Sequence, residues 1–202
     1  MKRAVPGLIL LFLFRLGYGL LSEFWADDEV QVYLIGLKSL TTGTWPFFGA
    51  DVTAGIQVPG ALQGLLVAVP LALTGWPEAP TVLLNILSFG GLSFFAWYSA
   101  RRFQNIPRSM IWLWVMTTPW TMGFSTHVVN PSYALLGGIL FFVALVEVLP
   151  QTTGHIVPTP WCWGLMGVAS VWVFQLHLSW VLFPIYLVVA VVASVQRDRS
   201  FP

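Results

Sequence analysis

Apolar residues run along this chain in long blocks, and polar residues collect in the short stretches between them. Six blocks read as helices that cross a bilayer: residues 5–22, 80–100, 109–124, 133–149, 161–175 and 180–195. The third of these bends near Pro119, because proline lacks an N–H and clashes with the turn before it. A further block, 61–74, is shorter. At a helical rise of 1.5 Å per residue it reaches roughly 21 Å, less than a ~30 Å hydrocarbon core. Pro70 weakens it further. It is predicted as a juxtamembrane helix that does not cross.

The longest run that does not fit a bilayer lies between the first and second of these spans, from Phe24 to Gly60. Within it, Val30, Tyr33, Leu34, Leu37 and Leu40 recur at helical spacing, and Asp27, Gln31 and Lys38 fall on another stripe. The pattern predicts a short amphipathic helix over 28–41, lying in the membrane interface. Thr42-Gly43 ends it. From Trp45-Pro46 the chain is expected to be irregular as far as Pro59-Gly60. The predicted fold is therefore all-α: one polytopic membrane module over 1–202, with six transmembrane helices and two juxtamembrane helices in the first outer loop.

Composition supports lipid as the solvent. The chain is 57% hydrophobic and 8% charged, against roughly 25% charged in soluble domains. A net charge of +1 gives no case for nucleic acid as a partner. The single cysteine, Cys162, excludes an internal disulfide and argues against a thiolate metal cluster. No small-x-small cleavage pattern follows the first block, so it reads as a retained helix.

Charge then sets the orientation. Lys2 and Arg3 precede the first block, Arg101, Arg102 and Arg108 cluster between the second and third spans, and Arg197 and Arg199 follow the last. With six spans, all these groups fall on one side, which the positive-inside rule makes cytoplasmic. Asp27, Asp28, Glu29 and Asp51 then lie opposite, half of the chain's eight acidic residues. The expected location is an integral membrane protein, of a bacterial inner membrane, with a cytoplasmic N-terminus and a periplasmic acidic loop.

Several residues could carry chemistry. Asp27-Asp28-Glu29 could be a helix cap facing the positive end of the dipole. Crowded carboxylates also raise one another's pKa, which suits a general base, and two or three of them could hold a divalent cation. Arg15, inside the first span, either pairs with a carboxylate or carbonyl of a neighbouring helix or faces an internal cavity. His127 and Asn130 lie in the second outer loop, and His177 marks the last outer turn. Asn130-Pro131 also suits a plain turn. His155 reads as a solvated loop residue and Glu147 as interfacial.

Taken in order, these features resemble the front of a GT-C glycosyltransferase. They are most similar to enzymes of the protein O-mannosyltransferase and aminoarabinose-transferase type. The resemblance rests on a basic start, a span with an arginine, Asp27-Asp28-Glu29 with Tyr33, then TGTWPFFGADVTAG and QVPGALQGLL. It covers essentially the whole chain. It implies transfer of a sugar from a polyprenyl-phosphate donor to a lipid, glycan or protein acceptor on the outer face. Asp28 takes the family's acidic catalytic position, with Asp27 and Glu29 beside it. Arg15, Lys38, Asp51, Gln57, His127, Asn130 and His177 are the candidate substrate-binding residues. Many relatives carry an aspartate where this chain has Asn130, which weakens the case for a metal. Relatives are commonly more than twice as long, so the chain is expected to be an amino-terminal part. The alternative expectation is a non-catalytic polytopic protein, an accessory or transporter-like subunit, or an inactive fragment.

Overall fold

The computed structural model describes residues 5–22, 27–52, 55–152 and 154–199, without the side chains of Asp27, Asp28 and 196–199. Among the described residues the chain forms nine α-helices and one short hairpin. Helix α1 spans Val5–Leu21 and α2 spans Asp27–Thr42. Strands β1 (Phe48–Val52) and β2 (Ile56–Pro59) follow, then α3 (Leu62–Thr74) and α4 (Ala79–Arg102). Next come α5 (Arg108–Thr117), α6 (Pro119–Thr126), α7 (Ala134–Val148) and α8 (Thr159–Phe174). A 3-10 turn over Leu178–Val181 leads into α9 (Leu182–Arg199).

The all-α class holds, with the hairpin as an addition. Two helical stretches are long and apolar enough to cross a membrane. In Ala79–Arg102 half of the apolar window is buried, and in Leu178–Val195 only 11% is. Val5–Leu21, Leu62–Thr74 and Ala134–Val148 are apolar but shorter.

Proline shapes the α5–α6 region as its chemistry requires. Thr118 is extended at ψ 143°, and Pro119 opens α6. The break removes backbone donors from the carbonyls one turn earlier. Thr121 Oγ1 donates to the Val115 carbonyl at 2.9 Å. The Met116 carbonyl takes a bond from Arg15 of α1 instead. The guanidinium also donates to the Thr121 carbonyl at 3.0 Å and to Ser125 Oγ. Arg15 is thus 1% exposed and bound to polar groups on a neighbouring helix. Of its two expected placements, the carbonyl-paired one is observed.

Two clusters fill the bundle. Leu92, Ala96, Ile111, Val115, Met116 and Val143 join α4, α5 and α7. Phe141, Ala144, Cys162, Met166, Val173 and Phe183 join α7, α8 and α9, with the Phe141 and Phe183 rings stacked at 4.1 Å. At one end of the bundle, Arg102 of α4 pairs with Glu147 of α7. Glu147 Oε2 accepts the Ile156 N–H at 2.9 Å, and His155 Nδ1 lies 3.6 Å from it. Glu147 is fully buried, so it is the hub that ties two helix ends to the 154–157 loop. The interfacial reading of the sequence misses this, because the partner lies 45 residues away in the chain.

A third cluster seats a cap on the opposite end. Val32 of α2, Ala50 of β1, Val67 and Leu71 of α3, Leu84 of α4, Val128, Tyr133 and Leu176 pack together. Hydrogen bonds fix the cap at this end of the bundle. Gln63, in the first turn of α3, donates to Asn130 Oδ1 at 3.2 Å. Tyr33 of α2 donates to the Pro77 carbonyl between α3 and α4, and Tyr133 donates to the Pro80 carbonyl in the first turn of α4, both at 3.1 Å.

Candidate functional site

On the cap, the candidates Lys38, Asp51 and Gln57 meet open surface. The cap begins with α2, whose apolar stripe is not the side that packs on α3. Val32 and Gly36 face α3, while Val30, Leu34, Leu37 and Leu40 are 40–58% exposed. The reason is steric. A Cβ on Gly36 would stand 2.6 Å from Val67 Cβ, so only glycine lets α2 and α3 approach this closely. The four leucine and valine side chains remain as an apolar outer face.

The hairpin lies beside α2. Its strands pair antiparallel, with Asp51 opposite Gln57 and Val52 opposite Ile56, and an irregularity between Phe48 and Asp51. Ala50 and Val58 point inward; Asp51, Ile56 and Gln57 point out. Gln57 Nε2 donates to Asp51 Oδ1 at 2.9 Å, and the Asp51 N–H donates to Gln31 Oε1 at 3.1 Å. Below them, Gln63 Oε1 accepts the Ala50 N–H at 2.7 Å. Gln63 is 1% exposed and fixes both the hairpin and Asn130. The hairpin leaves through Gly60, at φ +102°, a left-handed conformation in which its α-carbon lies close against the Gln175 side chain.

Two grooves open on this cap. The first, about 430 Å³, is lined by Gln31, Lys38, Asp51 and Gln57, with Trp45 and Phe48 on its apolar side. The second, about 390 Å³, runs between α2 and the ends of α1 and α4, with Glu29, Tyr33, Glu78 and Thr81 on its wall. Leu34 lines both. Partial burial pushes the Glu29 carboxyl above its ordinary range. Burial also raises the Tyr33 phenol; the Thr81 bond opposes this, and the negative charges of Glu29 and Glu78 add to it.

The structure therefore brings Lys38, Asp51 and Gln57 together in one groove and puts Glu29 in the next. Asp27 and Asp28 open α2, but the expectation placed on their carboxylates concerns side chains outside the described residues. The remaining candidates stand apart. Arg15 is enclosed between α1 and the α5–α6 break. His127 is 3% exposed, its Nε2 donating to the Ser22 carbonyl at 3.0 Å and its Nδ1 2.9 Å from Thr126 Oγ1. Asn130 is 7% exposed and holds Gln63. His177 Nδ1 accepts from the Ser179 N–H at 3.1 Å and caps the 3-10 turn. The sequence reading did not single out Gln31, Gln63, Tyr33 or Glu78 as site residues. A lone glutamine opening the apolar 61–74 block is the signal that could have identified Gln63.

Among the described residues no group of three His, Cys, Asp or Glu side chains could hold a metal ion. Comparison of the chain with family models, with curated proteins and with solved structures returns no match.

Proposed function

We propose that this chain is a membrane-embedded glycosyltransferase module that takes a sugar from a polyprenyl-phosphate donor and transfers it to an acceptor on the outer face. The observation that carries the reading is Glu29, a carboxyl raised in pKa by burial, on the wall of an apolar groove at the start of α2. Such a group is suited to accept a proton. In the proposed reaction, a carboxylate of the Asp27–Glu29 step takes the proton of an acceptor hydroxyl. The hydroxyl oxygen bonds to the anomeric carbon, and the carbon–oxygen bond to the lipid phosphate breaks. The polyprenyl phosphate leaves with that electron pair.

Six spans in the bilayer belong to the same proposal. Support comes from the outward apolar side chains of three helices: Ile9, Leu10 and Leu13 on α1, Val168 and Val171 on α8, and Ile185, Val188 and Val192 on α9 are 49–70% exposed. Apolar surface of this extent requires lipid or a partner chain. The cap and Arg101, Arg102 and Arg108 lie at opposite ends of α4, as a periplasmic acidic loop and a cytoplasmic basic one require.

One observation favours a non-catalytic accessory module instead. A departing phosphate needs cations or donors, yet Arg15, His127 and Asn130 are buried and bonded within the protein. Lys38 is the single cation lining either groove among the described residues. The discriminating experiment measures consumption of a radiolabelled polyprenyl-phosphate sugar by proteoliposomes holding the longest natural form of the chain. Asp27→Asn, Asp28→Asn and Glu29→Gln are compared with Asp51→Asn. Loss of the base is expected to cost ~10²–10⁴-fold in rate. Near-normal turnover in Asp27→Asn, Asp28→Asn and Glu29→Gln alike would remove the catalytic role of the acidic step, and no turnover by the parent protein would leave the accessory reading.

A further inference from the structure

The end of the bundle away from the cap carries a second polar feature. Helices α4 and α5 meet there as an antiparallel hairpin joined by residues 103–107. Trp97 precedes Arg101 by four residues on α4, and Trp112 follows Arg108 by four on α5. Residues four apart share a helix face. Each arginine at the hairpin tip therefore has a tryptophan one turn deeper on its own helix. The Arg101 guanidinium lies 4.6 Å from the Trp97 ring centroid. Two cavities adjoin here and share Ala100, Arg101 and Arg108 as walls. The outer one, about 910 Å³, adds Arg102, Gln104 and Gly154; the inner one, about 210 Å³, adds Trp97 and Trp112.

No acidic side chain lines either cavity among the described residues. Arg102 is committed to Glu147. Arg101 and Arg108 are exposed, and no described carboxylate lies within salt-bridge distance of either. Two cations at a tip with aromatic rings one turn deeper match an amphiphilic anion. A free phosphate would use the arginines and leave the tryptophan-lined part empty. Arginine binds phosphate oxygens through a planar fork, and tryptophan rings settle at the level of glycerol and headgroup.

We propose that Arg101 and Arg108 hold the phosphate of an anionic phospholipid, with Trp97 and Trp112 taking its glycerol and upper acyl region. The site rests on the membrane placement proposed above and is independent of sugar transfer. A basic side chain near a membrane surface contributes about fivefold to anionic-lipid association, so the pair contributes roughly 25-fold.

The test is native mass spectrometry of the full chain, released from micelles holding equal phosphatidylglycerol and phosphatidylcholine. The parent protein is expected to retain phosphatidylglycerol on the order of 25-fold over phosphatidylcholine. R101Q/R108Q should bring the two lipids near parity, and R197Q/R199Q, which removes the same charge elsewhere, should keep the preference. If the double variant does not fold, the single variants decide, each expected to lose about fivefold. A preference below about twofold in the parent would overturn the proposal. So would an equal loss in R101Q/R108Q and R197Q/R199Q. Displacement of the lipid by millimolar inorganic phosphate would reassign the site to free phosphate and overturn it as well. Alkaline carbonate extraction of the source membranes separates the two levels. Release of the protein overturns the membrane placement and the lipid site together; retention without lipid preference overturns the lipid site alone.

Discussion

At the scale of single residues, the cap depends on a few side chains whose environments make them measurable. Glu29 is the clearest. Burial raises its carboxyl in the folded state, so the folded chain binds its proton more tightly than the unfolded chain. The stability it contributes is present at low pH and is lost as pH rises from its ordinary value near 4.5 through the raised one. Glu29→Gln is expected to flatten that fall in a pH series of thermal melts; an unchanged pH profile would show that Glu29 is not desolvated. Glu147 behaves oppositely in design, because its charge is paired. Glu147→Ala leaves Arg102 without its carboxylate and removes the acceptor for the Ile156 N–H. Breaking such a pair is expected to cost about 3–5 kcal/mol. Arg102→Ala/Glu147→Ala should lose less than the sum of the single losses, and strict additivity in a double-mutant cycle would contradict the pairing.

At the scale of elements, two junctions carry the architecture. Gly36→Ala drives a methyl toward Val67, a stiff β-branched side chain that cannot swing aside. It should destabilise the α2–α3 contact by about 1–3 kcal/mol, read as a lower melting temperature with faster hydrogen exchange confined to the cap. Arg15 and Pro119 form the other junction. Arg15→Met leaves the Met116 carbonyl, just before the break, short of a donor. Pro119→Ala allows a continuous helix to supply backbone donors again, so the pair of changes should cost less than Arg15→Met alone. A double variant less stable than Arg15→Met would contradict that explanation of the buried arginine. Helix positions were legible because long apolar blocks and their breakers dominate this sequence: 28–41 became Asp27–Thr42, and Pro119 divides α5 from α6. The hairpin was not legible. Its strands are five and four residues long, contain glycine, and lose alternation at the irregularity between Phe48 and Asp51. Nor was it legible which side of α2 packs on protein. Periodicity locates an apolar stripe but does not say whether protein or another solvent covers it, and the small Gly36 carries no hydrophobic signal.

At the scale of the molecule, the candidate site was legible only in outline. Asp51 and Gln57 are near in sequence, and Lys38 shares a helix face with Gln31, so their meeting in one groove follows from local structure. The fates of Arg15, His127 and Asn130 depend on long-range partners, Met116, Ser22 and Gln63, that no spacing rule reveals. The account as a whole requires the cap and the arginine hairpin to face opposite sides of a membrane. Thr44 borders the groove on the cap, and Gln104 lines the cavity between α4 and α5; both are exposed. Cys162, the chain's one cysteine, is fully buried and gives little background. The most direct measurement is therefore labelling of Thr44→Cys and Gln104→Cys, each alone, with a membrane-impermeant maleimide on intact spheroplasts. The account predicts that Thr44→Cys labels at once and that Gln104→Cys labels only after the membrane is opened. Labelling of both from the same side would contradict it.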